Sequence, residues 1–343
     1  MLLWIDGFDA YGATGVAPAP TGIVGQKYSV INNESDFRVV TGRYAGFALN
    51  LPYNSVRYFG ANSLTTNATV VAGFAVKFSN LDSSYQFFGL YDGAQDGVGL
   101  WSESTGEISV KRDGTLLATS VGANILVNVW YYIELKVKCA SGTSGTYELR
   151  VNGINVASST GANTKAGANS YHDGFRFAGT TGLHDMIVDD FYFLDATGSV
   201  NNSFLSLKRV VTIFPDAAGD LDQWTASTGP SYNMVNENPQ DGDTTYVESS
   251  TSGQEDLWNY GAVGATGPVA GIQVSTDCRM TGATGYTLIT QEKNGGVDST
   301  GVSQPISSSS YTTKRQVFET NPRTSAPWNV TDLNSTQFGV KIV

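Results

Sequence analysis

The sequence predicts an all-β protein built from two successive sandwiches, and three observations carry that reading. Helical periodicity is nearly absent, whereas apolar–polar alternation recurs along the 343 residues. Asp-Gly and Asn-Gly pairs sit between alternating stretches, where a type I′ hairpin demands positive φ. The 39 glycines, with abundant Ser, Thr and Asn, point to many turns. A chain of this length is long for one core, so two domains are expected.

The elements follow in order. "TVVAGFAVKFS" sets Val70, Ala72, Phe74, Val76 and Phe78 on one face of a strand. "EISVKRDGTLLATS" reads as a hairpin turning at Asp113-Gly114, with Val110 opposite Leu117. "WYYIELKVK" puts Tyr131, Ile133, Leu135 and Val137 on one face and Glu134, Lys136 and Lys138 on the other. "YELRVNGINVASSTG" turns at Asn152-Gly153, pairing Val151 with Ile154 and Leu149 with Val156, so the apolar set keeps one face. "GFRFAG" and "DMIVDDFYFLDATG" are two more strands, the second apolar on both faces as a central strand is.

The polar stretch "DATGSVNNS" marks a boundary, giving a domain over residues 1–197, a linker over 198–204 and a second domain over 205–343. In the second, "RVVTIFPD", "DTTYVESS", "VAGIQVSTDCRM", "GYTLITQEKNGG", "RQVFETNP" and the closing "PWNVTDLNSTQFGVKIV" are strand-like. Residues 222–249 read as one long ordered loop. No repeat of 20–50 residues appears, which disfavours a propeller or solenoid.

Charge narrows the function classes. Acidic residues outnumber basic ones by 31 to 20, for a net charge of -11. The basic pairs Lys111-Arg112, Lys208-Arg209 and Lys314-Arg315 are isolated, so a phosphate-neutralising stripe is missing and nucleic acid is not an expected partner. An anionic membrane surface is disfavoured too, and no apolar run reaches spanning length. Asp6 and Asp9 fall where a secretory h-region would run. Cys139 and Cys278 lie in different domains and read as free thiols, consistent with maturation in a reducing compartment.

At this point the residues resemble known families. Trp130, Tyr147, Asn152, Gly153, Asp189 and Asp190, in "WYYIELKVK", "GTYELRVNGINVASSTG" and "DDFYFLDATG", resemble the later strands of a concanavalin-like, laminin-G-type jelly roll. "DGFDAYG" fits the first strand, which lies beside the last in such sandwiches. The resemblance spans roughly residues 1–197 and implies a fold rather than a function. The tail patterns "FLSLKRV", "GDLDQWTAS", "DGDTTYVES" and "TDLNSTQFGVKIV" are similar to those of bacteriophage virion proteins, minor structural or appendage components. That implies a virion protein made in the host bacterial cytoplasm, partnered by other virion proteins and by copies of itself.

Chemistry is sparse in the motifs. Concanavalin-like glycosidases carry two carboxylates on one strand as E-x-D-x-x-E, and that motif is missing here. Asp189 and Asp190 are adjacent, so in a regular strand they face opposite sides. His172 and His184 lack metal-ligand spacing, and neither a nucleophile elbow nor a P-loop occurs. The chain is therefore expected not to be an enzyme and to need no cofactor. Ca²⁺ at Asp92, Asp96, Asp189-Asp190 or Asp241-Asp243 is less favoured than turn capping by these aspartates.

Glycan binding needs exposed rings and planar hydrogen-bonding groups. Tyr85, Asp92, Asp96 and Trp101, with Tyr171 and His172, are the candidates for a host polysaccharide, although an aromatic inside a sandwich more often packs in the core. Trp328 is a packing anchor, either within its own sandwich or, as the candidate interface residue, against a neighbouring subunit. The expectation is a surface-exposed virion component, on the capsid, neck or tail, with weak glycan adhesion. The alternatives are a decoration protein that binds only virion proteins, and a glycan-degrading enzyme.

Overall fold

The computed structural model describes residues 1–15, 22–52, 56–81, 83–179, 185–264, 267–282 and 285–343. The protein is all-β, and the chain divides into two compact units, Met1–Val210 and Val211–Val343.

The first unit holds β1 (Leu2–Asp6), β2 (Val30–Asn32), β3 (Arg38–Thr41), β4 (Phe47–Leu51), β5 (Arg57–Ala61), β6 (Thr69–Phe78), β7 (Tyr85–Asp92) and β8 (Gln95–Ser102). β9 (Ile108–Arg112), β10 (Thr115–Thr119), β11 (Tyr131–Lys138), β12 (Gly145–Val151), β13 (Ile154–Ala162), β14 (Gly174–Gly179) and β15 (Met186–Asp195) follow. They form two antiparallel sheets in a jelly-roll-like sandwich. An eight-stranded sheet runs β13-β12-β11-β6-β15-β4-β3, with β1 also on β15, and a seven-stranded sheet runs β10-β9-β8-β7-β14-β5-β2.

Both inner faces are dense in rings. Phe59, Phe74, Phe88, Phe175, Phe177 and Phe191 are fully buried and meet mostly edge to face, with centroids 4.6–6.2 Å apart. The alternation in β6 delivers Val70, Ala72, Phe74, Val76 and Phe78 to this core. Val71 and Ala75, on the opposite face, are buried as well.

What covers that second face is the end of the expected linker, 198–204, together with the first residues expected in the second domain. Residues 203–210 belong to the first unit and lie against the eight-stranded sheet as a strap. The Ser206 amide donates to Glu134 Oε1 (2.9 Å), the Leu205 amide to the Tyr192 hydroxyl (3.2 Å) and the Val210 amide to Asp190 Oδ1 (2.8 Å). Lys136 reaches Ser203, and Arg150 stacks on Phe204 at 3.9 Å. Glu134, expected on a solvent face, is therefore fully buried.

Two local departures from alternation have the same cause, a bulge. Both hairpins turn where expected, with positive φ at Asp113, Gly114, Asn152 and Gly153. Past the turns the register slips, so Val110 pairs with Ala118 and Leu149 with Ala157. The N-terminal strand is Leu2–Asp6 rather than "DGFDAYG", whose residues Asp9–Tyr11 form a 3₁₀ turn.

The second unit contains β16 (Pro215–Asp222), β17 (Thr225–Ala226), β18 (Val247–Glu248), β19 (Glu255–Tyr260), β20 (Ile272–Cys278), β21 (Tyr286–Asn294), β22 (Val297–Ile306), β23 (Thr312–Phe318) and β24 (Thr336–Ile342). One five-stranded sheet, β16-β19-β24-β21-β22, is accompanied by the ribbons β17-β18 and β20-β23. β19 and the polar β22 lack a clear apolar pattern and were not expected, while residues 209–214 form no strand. The loop over residues 222–249 carries a 3₁₀ turn, Ser231–Met234, and the short ribbon.

Of the two placings open to Trp328, the structure gives the one within its own unit. It is only 2% exposed, donates its indole N–H to the Phe318 carbonyl at 3.0 Å and packs on Phe338. Its surface is spent inside its own unit, so it is a core residue and not an interface anchor. Cys139 and Cys278 are free thiols, one in each unit.

Candidate functional site

The outer face of the seven-stranded sheet gathers rings and polar groups that alternation turns away from the core. Phe175 and Phe177 point inward, so Arg176 between them points out. In the same way Phe59 inside leaves Tyr58 outside, Leu90 leaves Tyr91, Leu100 leaves Trp101, and Val110 leaves Lys111. The guanidinium of Arg176 stacks 4.0 Å from the Tyr91 ring centre and 5.8 Å from that of Tyr58. Gln86 donates to Asp96 Oδ1 at 2.9 Å. Lys111 stands 5.2 Å from the Trp101 ring and pairs with Glu103 at 3.1 Å.

The floor between the rings is bare backbone. Gly89 pairs with Gly99 across β7 and β8. A Cβ on Gly89 would meet Gln86 Nε2 at 2.6 Å and Tyr91 Cε2 at 2.8 Å, and one on Gly99 would collide with Gln86. The two glycines therefore let the Gln86, Tyr91 and Trp101 side chains lie down on the sheet.

Electrostatics follow from partial burial. Burial pushes the Asp96 carboxyl above its usual range, opposed by the Gln86 hydrogen bond and by Arg176. Burial, and then the charge of Asp96, push the Tyr91 phenol up to about 12, so Tyr91 is a neutral donor and ring at physiological pH.

Asp96 and Trp101 are the two sequence candidates on this face. Tyr85 precedes Gln86 and so points to the other side of β7. Asp92 accepts the Asn169 amide (3.0 Å) and side chain (2.6 Å), fastening the segment 163–173. Tyr171 is half-buried on that segment. His172 is 1% exposed against Gly97, with neither ring nitrogen hydrogen-bonded, and burial lowers it to about 4. A neutral, enclosed imidazole cannot stack on a sugar, so His172 is a packing residue here. His184 lies outside the described residues. Arg176, Tyr58, Tyr91 and Gln86 were missed, although a cation between two phenylalanines in "GFRFAG" is a signal that an outward residue follows from inward neighbours.

A second titratable cluster sits on the other sheet. β15 pairs β4 through Met186–Val188 and β1 from Phe191 onward, and the bulge falls at the exchange. Asp190 there has φ +52. The Asp189–Asp190 pair thus escapes alternation, and both carboxylates meet Arg43. Its amide donates to Asp189 Oδ2 at 2.7 Å, and its Nη1 lies 3.6 Å from Asp190 Oδ2. Burial, reinforced for Asp189 by its neighbour's charge, raises both carboxyls above their usual range. The pair fixes the strap and the 42–47 turn and is closed to ligands.

Among the described residues no three His, Cys, Asp or Glu side chains group as metal ligands. The aspartates considered for Ca²⁺ are engaged with protein groups: Asp241 caps Thr245 and Asp243 pairs with Arg279.

No protein-family model matches the chain, and no curated protein does. Solved structures align over about half of it. Alginate lyase Aly36B aligns at 12% identity and TM-score 0.42 over 56% of this chain and 96% of its own. The endo-β-1,4-glucuronan lyase of the fungus Trichoderma reesei aligns at 14% and 0.37, over 48% and 90%. A mutant Trypanosoma rangeli sialidase aligns at 15% and 0.34, over 46% and 27%. These neighbours are enzymes, which corrects the expectation that the chain is not one. The missing E-x-D-x-x-E strand removes only one mechanism, since carbohydrate chemistry also proceeds without a paired-carboxylate strand. At this similarity the neighbours lend the chain no particular reaction.

Proposed function

We propose that this chain is a glycan-engaging protein displayed on a bacteriophage particle, with the outer face of the seven-stranded sheet as its glycan site. The observation that carries the glycan reading is one outer face that presents the half-buried Trp101, Tyr58 and Arg176, with the buried Tyr91 ring supporting the guanidinium from beneath. Rings accept the apolar face of a sugar, while guanidinium, amide and carboxylate groups read its hydroxyls. The virion setting rests on the sequence patterns of the tail. In this reading the second unit joins the protein to other virion proteins and to its own copies, and many copies convert weak single sites into avidity.

The test is binding of the full chain to host cells and to their purified surface polysaccharides, alongside immunolabelling of intact particles. Saturable binding that falls with Tyr91→Ala and with Trp101→Ala, plus label on the particle exterior, supports the proposal. Association with virion proteins alone, indifferent to both substitutions, overturns it. Sizing the bound polysaccharide before and after incubation shows whether the site also cleaves it.

A further inference from the structure

We infer that the sugar engaged at this face is an acidic one, whose carboxylate is received by Arg176. The inference rests on the glycan reading above and names the class of ligand. Among the described residues the half-buried Arg176 makes no ion pair, and Asp96 acts on it only through its charge at longer range. It donates from Nη2 to the Gly93 carbonyl at 3.3 Å and interacts with the Tyr91 phenol, and among the described residues its buried Nε has no acceptor. Arg43, Arg57, Arg150 and Arg279, by contrast, each contact a carboxylate within 3.6 Å. The neighbouring acid, Asp96, is taken by Gln86.

A partly desolvated guanidinium without a contacting carboxylate is costly, and an anion arriving at its accessible edge lowers that cost. The stack on Tyr91 and Tyr58 holds the plane in place beforehand, so little side-chain freedom is lost when the ligand arrives. A planar fork suits a planar carboxylate, which it can bind through two parallel hydrogen bonds. The rings beside it take the pyranose face of the same residue or the next one along the chain.

The experiment uses the full chain and a panel of glucuronate, galacturonate, mannuronate, guluronate and sialate polymers. Each polymer is paired with its own carboxyl-reduced, neutral form. At least one acidic polymer should bind about 10-fold or more tightly than its neutral partner, as a charge-assisted pair implies. Arg176→Gln should abolish that preference, so that acidic and neutral forms bind alike, and Arg176→Lys, which keeps charge but loses the fork, should fall between. Equal binding of acidic and neutral forms that still depends on Tyr91 and Trp101 overturns the acidic inference and leaves the glycan site standing. Binding of neither form overturns both. Unchanged circular dichroism of the Arg176 variants separates loss of the contact from loss of the fold.

Discussion

The guanidinium carbon of Arg176 lies over the ring of Tyr91, 4.0 Å from its centre, on the outer face of a sheet whose inner face is almost wholly phenylalanine and aliphatic. Inward rings from β14 and β7 fix both backbones, and alternation then sets cation and ring side by side on the surface. Tyr91→Phe should therefore keep glycan binding within about threefold, whereas Tyr91→Ala should weaken it about 10-fold through loss of the platform and of the arginine's support. Titration calorimetry with the bound polysaccharide checks the difference.

Gly99 tests the flatness of the same floor. Gly99→Ala puts a methyl into Gln86 and against Trp101, which stands 3.0 Å from that position. The side chains must lift off the sheet, and affinity should drop about fivefold or more while the melting temperature falls only a few degrees. A ligand-binding titration and a thermal scan of one sample separate the two effects.

Glu134 holds the strap. Its Oε1 accepts the Tyr192 hydroxyl at 2.6 Å and the Ser206 amide at 2.9 Å beneath a covered surface. Glu134→Ala strands both donors, and the first unit should lose about 2–4 kcal/mol. Amide exchange over residues 203–210 should accelerate well before that of β6, because the strap detaches ahead of the sheet.

Glu292 sets a pH dependence in the second unit. It is fully buried on β21, and burial raises its carboxyl from 4.5 to about 7 against the opposing effect of the Ser299 hydroxyl. The fold keeps the proton that the unfolded chain releases, so stability is greatest below about 4.5 and declines as pH rises to about 7. Above that it levels off. Glu292→Gln removes this titration, and amide exchange of β21 and β24 should slow in the variant at pH 8 and lose its slope between pH 5 and 7.

Much of the scaffold was legible in the sequence. Hairpins at Asp113-Gly114 and Asn152-Gly153 are local, since positive φ and alternation are written in neighbouring residues. β22 was not, because its polar sequence joins the sheet through backbone pairing with β21 rather than through an apolar face. Of the site, Asp96 and Trp101 could be proposed because they flank a turn-rich aromatic stretch. His172 and Trp328 could not be told from surface residues, because burial is a property of what packs over a residue.

By itself the sequence determined the all-β class, the two principal hairpins, the central position of β15 and the want of a basic stripe, all of which depend on composition or on neighbours one to four residues apart. The tertiary structure alone decided that β5, β14, β7 and β8 lie side by side and bring Tyr58, Arg176, Tyr91 and Trp101 onto one face. It also decided that residues 203–210 fold back to bury Glu134, and that a bulge turns Asp189 and Asp190 toward one arginine. The physical reason is range. Pairing order and bulges are settled by contacts between residues tens of positions apart, which carry no local periodicity to read.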